Sequence, residues 1–182
     1  MPADRTRVGK TKGTVVLSAV KLLRSQPEAA RRLLPVGLHH YLTERIVVAS
    51  WYPEEHLYEL ICAGAALLPN QNGAFELMGA TTCREHAEGL YADHLKRDPQ
   101  MRARVLWRAQ HDTGDFALTS QTPKSVTYEL TGWDHAAAKY CRVVGGYFTE
   151  LHRLTGAAAP SYTHPTCRSS GGDRCVYVVS WR

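Results

Sequence analysis

Residues 112–181, DTGDFALTSQTPKSVTYELTGWDHAAAKYCRVVGGYFTELHRLTGAAAPSYTHPTCRSSGGDRCVYVVSW, decide the fold. Val126, Tyr128 and Leu130 alternate with Ser125, Thr127, Glu129 and Thr131, the pattern of a strand with one face buried. The Asp112-Thr113-Gly114 turn leads into Phe116 and Leu118 just before it, so two antiparallel strands are expected. Asp134 is placed to cap a long amphipathic helix whose apolar face carries Ala137, Cys141, Val144, Phe148 and Leu151. A closing hairpin is expected over Ser161 to Arg168 and Arg174 to Trp181, with its tip at Ser169 to Asp173 and with Cys175, Tyr177, Val179 and Trp181 on one face.

Upstream of this stretch, from Thr14 to about Arg108, the spacing is helical. Val16, Val20 and Leu23 share one face, as do Leu57, Leu60, Ile61 and Leu68. Pro53 and Pro99 fall where first helical positions would be, and Asp98 can cap the second of these helices. The spacing of Ala80, Cys83, Ala87, Leu90 and His94 aligns that histidine with an apolar stripe. Four to five helices followed by strand, strand, helix, strand, strand give an α+β domain: N-terminal helices packed with a four-stranded antiparallel sheet. Residues 1–13 are expected to be a flexible basic tail and 14–182 a single domain.

The chain has 182 residues, 44% hydrophobic and 21% charged, which suits one globular core. No apolar run approaches the roughly 20 residues that span a bilayer, and the first residues lack the apolar stretch of an export signal, so a cytoplasmic protein without membrane insertion is expected. The formal charge of +5 is concentrated at Arg5, Arg7, Lys10 and Lys12 and between Lys96 and Arg108. No DNA-reading motif accompanies it, so no nucleic-acid partner is expected. An odd count of five cysteines speaks against a disulfide framework.

The chemistry is concentrated near the C-terminus. Pairing Arg168 with Arg174 across the hairpin would put Cys167 opposite Cys175, with Cβ atoms about 5 Å apart. Cys141 faces inward from the preceding helix, and His164 lies just upstream of Cys167. Three thiolates and one imidazole are the donor set of a closed tetrahedral metal site, a structural arrangement and not a catalytic one. Residues three apart on a regular strand face opposite ways, so His164 and Cys167 can meet only if Pro165 marks a bulge or an edge. On spacing alone, the same cysteines read as small buried residues in a reducing cell.

The segments from Cys141 to Thr149 and from His164 to Val179 resemble the C-terminal part of 4-vinyl-reductase-type domains, above all the sensor domains of phenol-responsive transcription activators. The resemblance implies a structural zinc ion on Cys141, Cys167 and Cys175, with His164 where those domains carry a glutamate. It also implies an apolar pocket between helices and sheet, with Tyr162 at the position of a pocket tyrosine; His94 and Trp107 are further candidates for its wall. The wider superfamily includes haem nitric oxide sensors, but their Tyr-x-Ser-x-Arg signature is absent here, and it includes the TRAPP small subunits, which serve assembly.

Catalytic motifs are lacking. Gly9-Lys10-Thr11 echoes a phosphate loop without the earlier glycine, which would fall at Asp4. No Gly-x-Ser-x-Gly, His-Glu-x-x-His or His-x-Glu motif occurs. The sequence therefore leads us to expect a non-enzymatic sensing domain with structural zinc, a small apolar or aromatic ligand, and a second copy or a regulatory protein as partner. A scaffold using Trp51 and Tyr52 as anchors is the alternative; a haem gas sensor or a reductase stands behind both.

Overall fold

A computed structural model describes residues 9–93 and 99–182, without the side chains of residues 99–102. Its elements run β1 (Lys10–Lys12), α1 (Gly13–Arg24), α2 (Pro27–Leu33), a 3-10 turn (Val36–Leu42), β2 (Trp51–Pro53), α3 (Glu54–Leu67), α4 (Ala74–Glu88), α5 (Pro99–Gln110), β3 (Asp115–Thr122), β4 (Ser125–Thr131), α6 (Ala138–Leu154), β5 (Ser161–Thr166), a 3-10 turn (Arg168–Ser170) and β6 (Cys175–Ser180). The expected α+β order is present, with helices first and then strand, strand, helix, strand, strand.

The main sheet is antiparallel in the order β3-β4-β6-β5. Every second residue of β4 and β6 is buried, Val126, Tyr128 and Leu130 on one and Cys175, Tyr177 and Val179 on the other, so one sheet face is the floor of the core. Helix α6 crosses that face. Phe148 stacks on Phe116 with centroids 4.3 Å apart, and the His152 Nε2 meets the Tyr128 hydroxyl at 2.8 Å.

Helix α4 lies along α6 at a separation only glycine permits. A Cβ on Gly79 would sit 2.0 Å from the Val143 carbonyl oxygen, and one on Gly146 2.2 Å from the Glu76 carbonyl oxygen. An Arg142–Glu76 fork, at 2.8 and 2.9 Å, closes the exposed side of the same seam.

Three details depart from the sequence reading. Helix α6 begins after Ala137 with no side-chain cap, so Asp134 does not cap it. Lys10–Lys12 are not tail: they pair with Trp51–Pro53, and Thr11 also bridges to His111. Pro53 sits one place earlier than expected, as the residue that precedes the first turn of α3. Asp98, expected to cap α5, lies outside the described residues, as do Arg5 and Arg7.

Candidate functional site: a thiol–imidazole cluster and an apolar cavity

Two places gather chemistry. The first is where α6 meets the β5–β6 hairpin. Thr166 pairs with Val176, so the register carries Cys167 opposite Cys175, and the pairing shifts between Thr163 and Thr166, around Pro165. That irregularity turns His164 toward the thiols, which a regular strand would forbid. Cys141 Sγ lies 3.7 Å from Cys167 Sγ and 3.8 Å from Cys175 Sγ, and one donor atom from each of Cys141, His164, Cys167 and Cys175 falls within 4.8 Å of all the others.

The electrostatics of the cluster follow from this crowding. Cys175 is pulled down to about 4 by the hydrogen bond from Cys141, against its burial, with further help from His164. Cys141, which supplies that proton and is itself buried, is pushed up. Burial would raise Cys167, but Ser169, 2.9 Å away, and His164 bring it below the usual thiol value. Burial would lower His164, yet the Cys175 and Cys167 sulfurs raise it. Both His164 ring nitrogens are buried without a hydrogen-bond partner. As chemistry, three sulfurs and an imidazole nitrogen in this arrangement can ligate a thiophilic metal ion.

The second place is a cavity of ≈ 220 Å³ lined by α1, α3, α4, α5 with the residue after it, and α6, and open to solvent beside Leu77. Its wall is chiefly apolar, with Leu57, Ile61, Leu106, Val144 and Phe148 prominent. The sequence led us to expect a pocket between helices and sheet; the cavity instead lies among the helices, because the Phe116, Phe148 and Tyr128 rings fill the space above the strands. Trp107 lines it. Tyr162 does not belong to its wall: the ring packs against Gly145 and the hydroxyl donates to Glu76 Oε1 at 3.1 Å. His94 lies outside the described residues.

The polar end of the cavity was not anticipated from sequence. Glu54, the first residue of α3, is fully buried. Its carboxylate accepts from His111 Nδ1 at 2.5 Å and from Trp133 Nε1 at 3.0 Å. His111 also lines the cavity and stacks on Trp107, centroids 4.0 Å apart. Beside it, the Gln110 amide donates to His86 Nδ1 at 3.1 Å and reaches the Tyr147 hydroxyl at 3.4 Å.

No protein-family model matches the chain, and no curated protein matches it. Its fold is that of solved H-NOX domains. An H-NOX protein from S. oneidensis in the Fe(II)NO ligation state superposes with a TM-score of 0.65 at 13% identity, covering 94% of this chain and 99% of that one. An oxygen-binding H-NOX domain related to soluble guanylate cyclases gives 0.66 at 11% identity, over 94% and 95%. A structure from work on heme distortion in the H-NOX family gives 0.68 at 11%, over 94% and 95%. Identities this low establish the fold alone.

These matches correct the expected cofactor. The resemblance implied structural zinc, whereas the solved domains that share the fold are described by heme, its redox potential and its distortion. A cluster of thiols is weak support against that finding, and zinc is withdrawn as the cofactor of this chain. The 4-vinyl-reductase name is likewise not what the fold matches carry; the solved structures are described as H-NOX proteins.

Proposed function

We propose that the chain is a non-enzymatic sensing domain that takes up a small, mainly apolar molecule and passes its occupancy to a partner protein or a second copy. The apolar cavity shared by five helices carries this reading. A ligand there touches every large helix at once, so filling the space changes how the helices pack and gives binding a route to the surface. An apolar cavity of ~150 Å³ accepts benzene, so ≈ 220 Å³ suits a single ring with a short substituent. The walls are helices held by side-chain packing, which a ligand can shift, and this supports sensing. Trp51, an anchor in the scaffold alternative, is 41% exposed and covered by the Lys12 ammonium 4.0 Å above its ring.

A haem-based gas sensor is the second reading, favoured by the fold matches. The described residues do not fit that group. The cavity of ≈ 220 Å³ is smaller than the ~300 Å³ at which pockets for drug-sized ligands begin, and a porphyrin is larger again. His111 is held by Glu54 and covered by Trp107, while His86 faces Gln110 and Tyr147 and does not line the cavity. No step is derived through haem.

Thermal unfolding with single-ring aromatics, long-chain lipids and haemin separates the readings. A compound at a hundred times its Kd stabilises the native state by about 2.7 kcal/mol, which for a chain of this size raises Tm by roughly 5–10 °C. We expect single-ring compounds to do so. A Tm unmoved by any apolar compound overturns the sensing reading, and a stoichiometric Soret band with haemin moves it to haem.

A further inference from the structure

The short ribbon of β1 and β2 has two unlike faces. Lys10 pairs with Pro53, Thr11 with Tyr52 and Lys12 with Trp51, and side chains alternate across a strand. Thr11 is fully buried, and Tyr52 packs against the core with its hydroxyl accepting the Val47 N–H at 2.9 Å. The opposite, outward face therefore carries Lys10, Lys12, Trp51 and Pro53. Trp51 is the most exposed of the four tryptophans, since Trp107 and Trp133 are buried and Trp181 is half-buried.

The turn before β2 adds to this face. The Ser50 N–H donates to the Val47 carbonyl at 3.0 Å, and Val47 and Val48 at the head of the turn are 49% and 38% exposed. Lys12 Nζ donates to the Ala49 carbonyl at 2.8 Å and lies 4.0 Å from the centre of the Trp51 ring, which ties turn, tryptophan and lysine into one patch. Three of the eight large apolar side chains exposed among the described residues meet here, whereas apolar residues left on a surface by chance are scattered singly.

Its charge is chiefly positive. Lys10 and Arg45 are exposed, and residues 1–13 hold Arg5, Arg7, Lys10 and Lys12 against Asp4 alone. The acids beside them are Glu44, next to Arg45, Glu55, after β2, and Asp112, which accepts the Lys10 N–H at 2.6 Å.

We propose that this patch docks the domain on an anionic lipid bilayer, with Val47, Val48 and Trp51 in the headgroup layer and Lys10, Lys12 and Arg45 against the lipid phosphates. The proposal goes beyond the sensing reading, since none of these residues lines the cavity. Tryptophan suits that layer because its ring is apolar at one end and donates a hydrogen bond at the other. Stable attachment takes an apolar anchor and a basic patch together, and each basic residue near the surface raises affinity about fivefold. A protein partner is the weaker fit: a stable interface takes about 800 Å² on each side, and three partly exposed side chains fall short of that. No helix has to enter the bilayer, and none among the described residues could span it.

Sedimentation of the whole chain with vesicles compares phosphatidylcholine alone with phosphatidylcholine mixed with phosphatidylglycerol. Binding to the mixed vesicles is expected to be about tenfold or more tighter and to weaken as salt is added. Lys10→Gln should lower it about fivefold and Val48→Ser about three- to tenfold. Melting should be unchanged in both variants, since neither side chain belongs to the core. Lipids brominated on the upper acyl chain quench a tryptophan that reaches them; the native chain should lose part of its fluorescence on mixed vesicles, and Trp51→Phe, still bound, should lose none.

Absence of binding to the mixed vesicles overturns the proposal and leaves the patch to an acidic protein. Binding that Val48→Ser does not weaken, or quenching that is the same in Trp51→Phe, also overturns it, because attraction by the net charge of +5 would then account for the adsorption.

Discussion

The His86 imidazole is buried against the Gln110 amide and the Tyr147 hydroxyl, and its Nε2, near the Thr14 carbonyl, has no partner within hydrogen-bond distance. Burial pushes it down to about 4 from 6.5, with the Thr14 backbone and Glu85 opposing and His111 and Lys21 adding to the fall. Above pH 6.5 the ring is neutral in folded and unfolded chains alike. Below it the unfolded chain binds a proton that the folded chain refuses, so stability is lost as pH falls from 6.5 toward about 4. At pH 5 the loss from this group is about 2 kcal/mol. Urea unfolding at pH 7.5 and pH 5 should show it in the native chain and not in His86→Gln; an equal loss in both would assign it elsewhere.

The same scale shows what sequence can and cannot convey about a site. Helical and strand periods point Cys141 inward and set Cys167 opposite Cys175, but they place His164 on the other strand face, and only the irregularity around Pro165, which the sequence merely permits, brings it round. Glu54 was not legible. A glutamate at the start of a helix reads as a solvated residue favoured by the helix dipole, and its partners His111 and Trp133 lie 57 and 79 residues away. Only tertiary packing shows that it is buried and paired. Tyr162 misled for the opposite reason: its position in sequence matched a pocket tyrosine, but Gly145 leaves a gap in α6 that its ring enters.

Among elements, the α4–α6 seam decides how tightly the cavity is closed, since both helices contribute to its wall. Propensity and packing make opposite forecasts for Gly79→Ala and Gly146→Ala. Alanine inside a helix is favoured over glycine by about 1 kcal/mol. A Cβ 2.0 or 2.2 Å from a backbone oxygen, however, forces the helices apart, a change of the kind that costs about 1–3 kcal/mol. We expect each variant to melt lower, by roughly 2–10 °C; a rise in Tm would mean the seam is looser than described. Both long helical faces and the β3–β4 and β5–β6 hairpins could be read from periodicity. The β1–β2 pair could not, because three-residue strands are too short for alternation to register, and this pair holds part of the expected tail in the fold.

Over the whole molecule, one apolar core runs from α1 through the helices to the sheet, and the cavity interrupts it on the helical side. No helix among the described residues is long and apolar enough to cross a membrane. The order of elements was readable because the hydrophobic period turns from helical to alternating after Gln110, returns to helical over α6 and alternates again in the closing hairpin. The cavity was not, because an empty space is the sum of many side-chain volumes and no motif marks it. Its occupancy is therefore the claim to test, and titration of methyl-labelled protein with ethylbenzene, followed by NMR, does so most directly. The account predicts saturable shifts at the methyls of Leu57, Ile61, Leu106 and Val144, with Val179 in the sheet unmoved. Shifts that never saturate, or that concentrate on exposed Val36 and Leu90, would contradict it.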